Sequence, residues 1–214
     1  MTEFFLNNKK VKAKDDETIW TVAKREGIVL PHLCFADKPG YRADGNCRAC
    51  MVSIEGERVL AASCIRKPTE GMKVVTNDER STKSRKMVLE LLVTDQPDRE
   101  TSHDPDSHFW NVASSVDVAK SRFDKREKTI VPCEDASHVA MSVNLDACIH
   151  CNLCVRACRE VQVNDVIGMG NRGHHSKVIF DFNDPMGDSS CVSCGECVQA
   201  CPTGALMESN LLDD

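Results

Sequence analysis

Apolar and polar positions along this chain follow two different periods, and the change between them marks its organisation. "EFFLN" and "KKVKA" are short extended runs on either side of Asn7 and Asn8, which predicts a β-hairpin. "TIWTVAKREG" then carries apolar residues at helical spacing, with Thr18 placed to cap the helix and Gly27 to end it. "CMVSIEGERVLAAS" predicts two strands around Glu55-Gly56, and "MKVVT" a last one. Strand, strand, helix, strand, strand over residues 1–76 is a β-grasp order.

From Asn77 the period becomes helical. Met87, Val88, Leu91 and Leu92 recur at three- and four-residue spacing and predict one apolar face. The polar "DQPDRETSHDPDSHFW" interrupts it, a second helix is predicted over Phe109 to Ala119, and the charged residues 120–137 read as a linker. Two basic stretches, Arg80 to Lys86 and Lys120 to Lys128, sit among acidic neighbours and read as solvated helix faces. Further on, "KVIFDF" predicts a strand. "GMGNRG" from Gly168 reads as a turn-rich insert, because no strand–helix unit surrounds it as a phosphate-binding loop requires.

Composition changes this picture mainly through its 13 cysteines. Aromatic residues make up only 5% of the chain, so small domains held by bound groups fit better than one aromatic-rich core. The net charge of −6 argues against a nucleic-acid backbone as partner. The N-terminus lacks a signal-peptide pattern, and no segment has the roughly 18 apolar residues of a membrane span. A soluble, cytoplasmic chain is therefore expected. In a reducing compartment so many cysteines point to metal or redox chemistry rather than to disulfides.

Eight of them form a repeat. Cys148, Cys151, Cys154 and Cys158 recur as Cys191, Cys194, Cys197 and Cys201, each 43 positions later. Spacing of two, two and three residues, twice, is the signature of a protein carrying two [4Fe–4S] clusters. Three cysteines on a tight loop wrap one face of a cubane, while the fourth lies about a turn into the next helix and points away. Cys148, Cys151 and Cys154 are thus expected to share one cluster with Cys201. Cys191, Cys194 and Cys197 are expected to share the other with Cys158. Pro202 follows the last cysteine of the second copy, but Arg159 follows Cys158, so the first helix can run on. The competing reading is zinc, which paired CxxC motifs also bind.

Four more cysteines lie in the β-grasp zone: twelve residues separate Cys34 from Cys47, and thirteen separate Cys50 from Cys64. They suit either a [2Fe–2S] cluster covered by the loop from Phe35 to Asn46, or a set of buried structural thiols. In the first case Gly40 and Gly45 are expected to let backbone N–H groups approach the sulfurs. Cys133 remains and reads as a non-ligand, whose replacement leaves iron content unchanged.

"LPHLCF", "NCRACMVSIEG", "CVRACREVQVNDVIGMGNRG" and "CVSCGECVQACPTGAL" resemble the iron–sulfur N-terminal region of NAD-dependent molybdenum- or tungsten-containing formate dehydrogenase catalytic subunits. More distantly they resemble the large iron–sulfur subunit of respiratory complex I and the diaphorase small subunit of NAD-reducing hydrogenases. The resemblance covers most of the chain and weakens across residues 95–137. It implies an α+β architecture: a β-grasp [2Fe–2S] ferredoxin-like domain over 1–76, a helical connector over 77–137, and a two-[4Fe–4S] bacterial-ferredoxin-like domain over 138–214. It assigns Cys34, Cys47, Cys50 and Cys64 to the [2Fe–2S] site.

Some relatives carry a further cluster held by one histidine and three cysteines. Here that region, "SHDPDSHFWNVASSV", has His103 and His108 but no cysteine, so that cluster is expected to be absent and both histidines to be ordinary surface residues. The chain contains no recognisable nucleophile–base pair or catalytic carboxylate pair, and its length is expected to leave no room for the pterin-binding domain of the fused relatives, either because that subunit is split here or because the sequence is a shortened piece of it. The expectation is a natural small, non-catalytic subunit that relays electrons between a pterin-dependent formate site and a flavin subunit that reduces NAD. Alternatives are the same relay in a hydrogenase or complex I-like assembly, a free multi-cluster ferredoxin, an iron–sulfur sensor and a zinc module.

Overall fold

A computed structural model describes residues 1–125 and 134–211. Cys133 lies outside the described residues. The N-terminal hairpin is β1 (Thr2–Leu6) and β2 (Lys9–Ala13), paired antiparallel with Phe4 opposite Val11. Asn7 and Asn8 both take positive φ, 49° and 67°, as a tight turn matched to strand twist demands. Helix α1 (Ile19–Arg25) starts at Thr18 in a reciprocal capping box with Thr21 and ends where Gly27 turns left-handed at φ 78°.

The strands that follow are β3 (Met51–Ile54), β4 (Ala61–Ala62) and β5 (Lys73–Val75). The sheet order is β2-β1-β5-β3-β4, with β1 and β5 parallel and the remaining pairs antiparallel. This is the expected β-grasp arrangement, although β4 is much shorter than the "RVLAAS" stretch suggested. Phe4, Leu6, Ile19, Trp20, Val22, Val52, Ile54 and Val74 form its core.

Helix α2 (Glu79–Thr94) begins at Asp78, whose carboxylate accepts from Ser81 N–H and from Ser53 Oγ. Its fully buried row is Ser81, Arg85, Leu89 and Val93; of the expected face, Val88 and Leu92 are partly buried against the same core and Leu91 is half exposed. Arg85 lays its stem inward and donates to the Thr76 carbonyl, and so takes a place on the buried row beside that apolar face. Arg85 therefore corrects the reading of Arg80 to Lys86 as a wholly solvated face. Of the second basic stretch, residues 120–125 form no helix and the rest lies outside the described residues.

Helix α3 (His108–Ser115) is shorter than expected and stops before Val116. Leu89 and Val93 of α2 pack with Phe109, Trp110 and Val112 of α3 against Leu33 and Ala49 of the β-grasp zone. Phe109 is fully buried, and its N–H donates to the Pro202 carbonyl at 2.7 Å, so α3 joins both ends of the molecule. Phe109→Ala is expected to cost about 3–5 kcal/mol of stability, read by denaturant unfolding of the cluster-loaded chain.

The C-terminal region contains two small antiparallel sheets. One joins β6 (Glu134–Asp135), β7 (Met141–Asn144) and β10 (Leu206–Glu208) in the order β10-β7-β6. The other pairs β8 (Ile167–Gly170) with β9 (Lys177–Phe180). The glycine-rich "GMG" thus lies within a strand, correcting the turn-rich reading, and only the chain after Gly170 turns. Helix α4 (Leu153–Arg156) runs on as a π-helical stretch over Ala157–Val161, as the missing proline allowed, whereas α5 (Glu196–Ala200) stops before Cys201-Pro202.

Candidate cluster sites

The 43-residue repeat is written in the backbone as well as in the cysteines. His150 and Asn152 take φ of 53° and 62°, and their equivalents Ser193 and Gly195 take 56° and 73°. His150 N–H points at Cys148 Sγ at 3.5 Å, and Ser193 N–H at Cys191 Sγ at 3.4 Å. These left-handed residues fold each loop back on itself, so that successive cysteines face one centre.

Cys148, Cys151, Cys154 and Cys201 line one small cavity, together with Leu145, Val178 and Leu206. Cys158, Cys191, Cys194 and Cys197 line a second, with Met141, Val166 and Ile167. Each cavity therefore draws three cysteines from one copy of the motif and the fourth from the other. Burial is the main cause that pushes the Cys148 thiol up to about 11 and that of Cys197 to about 12; it raises Cys151 and Cys154 as well. Four thiolates in such apolar walls are costly unless a cationic centre neutralises them.

Cys34, Cys50 and Cys64 are buried in the β-grasp region and Cys47 is half-buried. The Cys34 sulfur accepts from the thiols of Cys47 and Cys64 and from the Cys47 N–H at 3.3 Å, which holds its pKa down at about 2. The Cys64 thiol likewise lowers Cys50 to about 7, while donation pushes Cys47 and Cys64 upward. The four sulfurs form one connected network in which a thiolate is already stabilised.

Among the described residues no three or more such donors close on one point as a single ion requires. The two C-terminal cysteine quartets instead ring spaces, and N–H groups point at sulfur. That donor set fits a polynuclear iron–sulfur group better than zinc.

The glycines of the covering loop act differently from expectation. The N–H groups that reach Cys34 belong to Asn46 and Cys47. Gly45 is needed because its φ is +66° and a Cβ there lies 2.8 Å from Ile65 Cδ1, and Gly40 packs on Val161. Of the histidines, His108 Nε2 donates to the His32 carbonyl at 2.8 Å, and His103 lies against Asn144. His108 also contacts the His32 ring, 4.9 Å between centroids.

Sequence reasoning missed the residues that join the sites. Tyr41 OH donates to Glu196 Oε1 at 2.9 Å, and Arg42 reaches Glu160. Arg156 is buried between the loops of Cys34 and Cys151. Its one signal in the sequence was its place inside "CVRAC".

Known proteins share both halves of this arrangement. Residues 1–79 match the 2Fe-2S iron-sulfur cluster binding domain, and residues 147–205 match the 4Fe-4S dicluster domain. The chain is 31% identical to the NADP-reducing hydrogenase subunit HndD of Solidesulfovibrio fructosivorans, over 97% of this chain and 36% of that one. It is 28% identical to an NADH-quinone oxidoreductase subunit of Rhizobium meliloti, over 97% of this chain and 24% of that one. It is also 28% identical to SH0748 of Staphylococcus haemolyticus, a provisionally named formate dehydrogenase, over 88% of this chain and 19% of that one. This chain thus spans a minor part of the length of these curated relatives. In the crystal structure of an NAD⁺-reducing [NiFe]-hydrogenase, one chain superposes with a TM-score of 0.87 at 26% identity, covering 97% of this chain and 87% of that one. The resemblance and the fold class read from the sequence are borne out.

Proposed function

We propose, from the premise that this chain joins a 2Fe-2S cluster-binding domain to a 4Fe-4S dicluster domain, that it relays single electrons within an NAD- or NADP-linked oxidoreductase. The observation that carries the proposal is the crossed placement of cysteines in the two C-terminal cavities beside a third thiol network. Cys34, Cys47, Cys50 and Cys64 hold a [2Fe–2S] cluster in this reading. Cys148, Cys151, Cys154 and Cys201 hold one [4Fe–4S] cluster; Cys158, Cys191, Cys194 and Cys197 hold the other. The clusters, when bound, supply reversible one-electron chemistry. The chain's residues supply thiolate, exclude water with Leu145, Val166, Val178 and Leu206, and direct N–H dipoles at sulfur.

Exposure falls unevenly over the sites. Cys194 is exposed beside an exposed Val192, whereas Cys34, Cys50 and Cys64 are buried. The second [4Fe–4S] site is therefore the proposed hand-over point to a partner subunit. Among the described residues no helix is long and apolar enough to cross a membrane. The partners read from the sequence are a molybdenum- or tungsten-pterin formate-oxidising subunit and a flavin subunit that binds NAD. A hydrogenase on the substrate side is the second reading, favoured by the relative from Solidesulfovibrio fructosivorans and by the superposed hydrogenase chain.

The test is anaerobic isolation from the native cell, with iron analysis and mass spectrometry of co-purifying chains. About ten iron atoms per chain are expected, with a pterin-binding oxidoreductase and a flavin subunit alongside. A nickel–iron hydrogenase alongside instead selects the second reading. If the purified chain alone oxidised formate or reduced NAD, the relay reading would be wrong.

A further inference from the structure

We propose that Arg156 is the positioning residue that couples the [2Fe–2S] site to the first [4Fe–4S] site, holding their spacing and setting both potentials. The inference rests on the relay reading above. Its ground is a set of bonds converging on one side chain that is only 3% exposed. Nη2 donates to the Cys34 carbonyl at 2.8 Å and to the Cys151 carbonyl at 3.2 Å. One nitrogen thus bridges a cysteine of each quartet. Nη1 donates to the Arg42 carbonyl at 3.0 Å and pairs with Asp44 at 2.9 Å, and Nε donates to the Asn152 carbonyl at 3.3 Å.

Among the described residues the bonds fall on two segments alone, the loop that covers the [2Fe–2S] site and the loop of the first [4Fe–4S] site. None falls on the loop from Cys191 to Cys197. A neutral side chain could fill the same space, because apolar replacements of buried ion pairs are often no less stable. What only the guanidinium adds is a fixed positive charge and a planar set of donors, with Nη2 bridging the Cys34 and Cys151 carbonyls while Nη1 and Nε hold Arg42, Asp44 and Asn152. Each flanking site becomes more negative on reduction, and the cation stabilises that state in both through a low-dielectric interior. Asp44 opposes it, and is itself shared with the exposed Arg42, which reaches Glu160 of the π-helical stretch.

The experiment is an EPR-monitored redox titration of the full chain loaded anaerobically with iron, comparing wild type with Arg156→Gln, Arg156→Lys and Asp44→Asn. The first [4Fe–4S] signal is identified by its loss in Cys154→Ala. Arg156→Gln is expected to keep all iron, lower the midpoint potentials of the [2Fe–2S] and first [4Fe–4S] sites, and leave the second unmoved. Arg156→Lys keeps the charge and restores those potentials, but leaves the magnetic interaction between the two sites altered, since an ammonium with three donors cannot also hold the Arg42 and Asn152 carbonyls and Asp44 that lock the two loops together. Asp44→Asn moves the same two potentials upward.

Unchanged potentials in Arg156→Gln, or an equal shift at all three sites, would overturn the inference. If that variant lost iron, Asp44→Asn decides: no upward shift at the two sites overturns it. Failure of the underlying relay reading is a separate result, namely a wild-type chain that does not load both cluster types.

Discussion

Cys158→Ala is expected to remove the cluster whose three other cysteines lie 33 or more residues downstream, and to spare the cluster bound by its own motif. The cavity lined by Cys158 also holds Cys191, Cys194 and Cys197, while Cys148, Cys151 and Cys154 line the other with Cys201. Cys158 is turned toward its distant partners by the π-helical stretch, and the Val166 N–H reaches its sulfur at 3.3 Å. Iron is expected to fall from about ten towards about six atoms per chain, because one iron of that cubane loses its protein thiolate. The EPR signal lost should match that lost in Cys191→Ala. The signal lost in Cys201→Ala should match that of Cys154→Ala, although Cys201 belongs to the second motif. If Cys158→Ala and Cys154→Ala lost the same signal, each motif would bind its cluster locally and the crossed arrangement would be wrong.

Local rules made much of this molecule readable. The Asn7-Asn8 turn, the Thr18 cap and the Gly27 stop involve residues only a few positions apart, so their chemistry stands in the sequence itself. The 43-residue repeat was equally visible, and it reappears as paired left-handed residues and paired N–H bonds to sulfur. What resisted reading depends on distant neighbours. Arg85 joins the buried side of α2 by donating to the Thr76 carbonyl, which apolar periodicity does not register. Arg156 is one of 27 lysines and arginines, and its burial is decided by a carbonyl 122 positions away. The role of Gly45 follows from Ile65, a contact that no turn rule supplies.

Removing iron with a chelator under reducing, anaerobic conditions is expected to unfold the C-terminal region while the β-grasp sheet persists. The two cores differ in what they are made of. Phe4, Leu6, Ile19, Trp20, Val22, Val52, Ile54 and Val74 pack on one another across a five-stranded sheet, and of the cysteines only Cys50 and Cys64 belong to that buried cluster. The C-terminal core instead includes Cys154, Cys158 and Cys197, with Cys148, Cys151, Cys191 and Cys201 packed against it. Several of its aliphatic residues, Val143, Val178 and Leu206 among them, line cavities rather than filling them. Its strands are short, three or four residues in β7 to β10, and its helices α4 and α5 are too short to stand alone. Cluster binding is therefore folding free energy for this region, and helps the β-grasp sheet far less. Methyl NMR of the chelated chain is expected to keep Val22, Val52 and Val74 dispersed while Val143, Leu153, Val178 and Leu206 collapse to random-coil positions. Retained dispersion in both sets would show that the C-terminal core stands without iron, and the clusters would then be passengers rather than part of the fold.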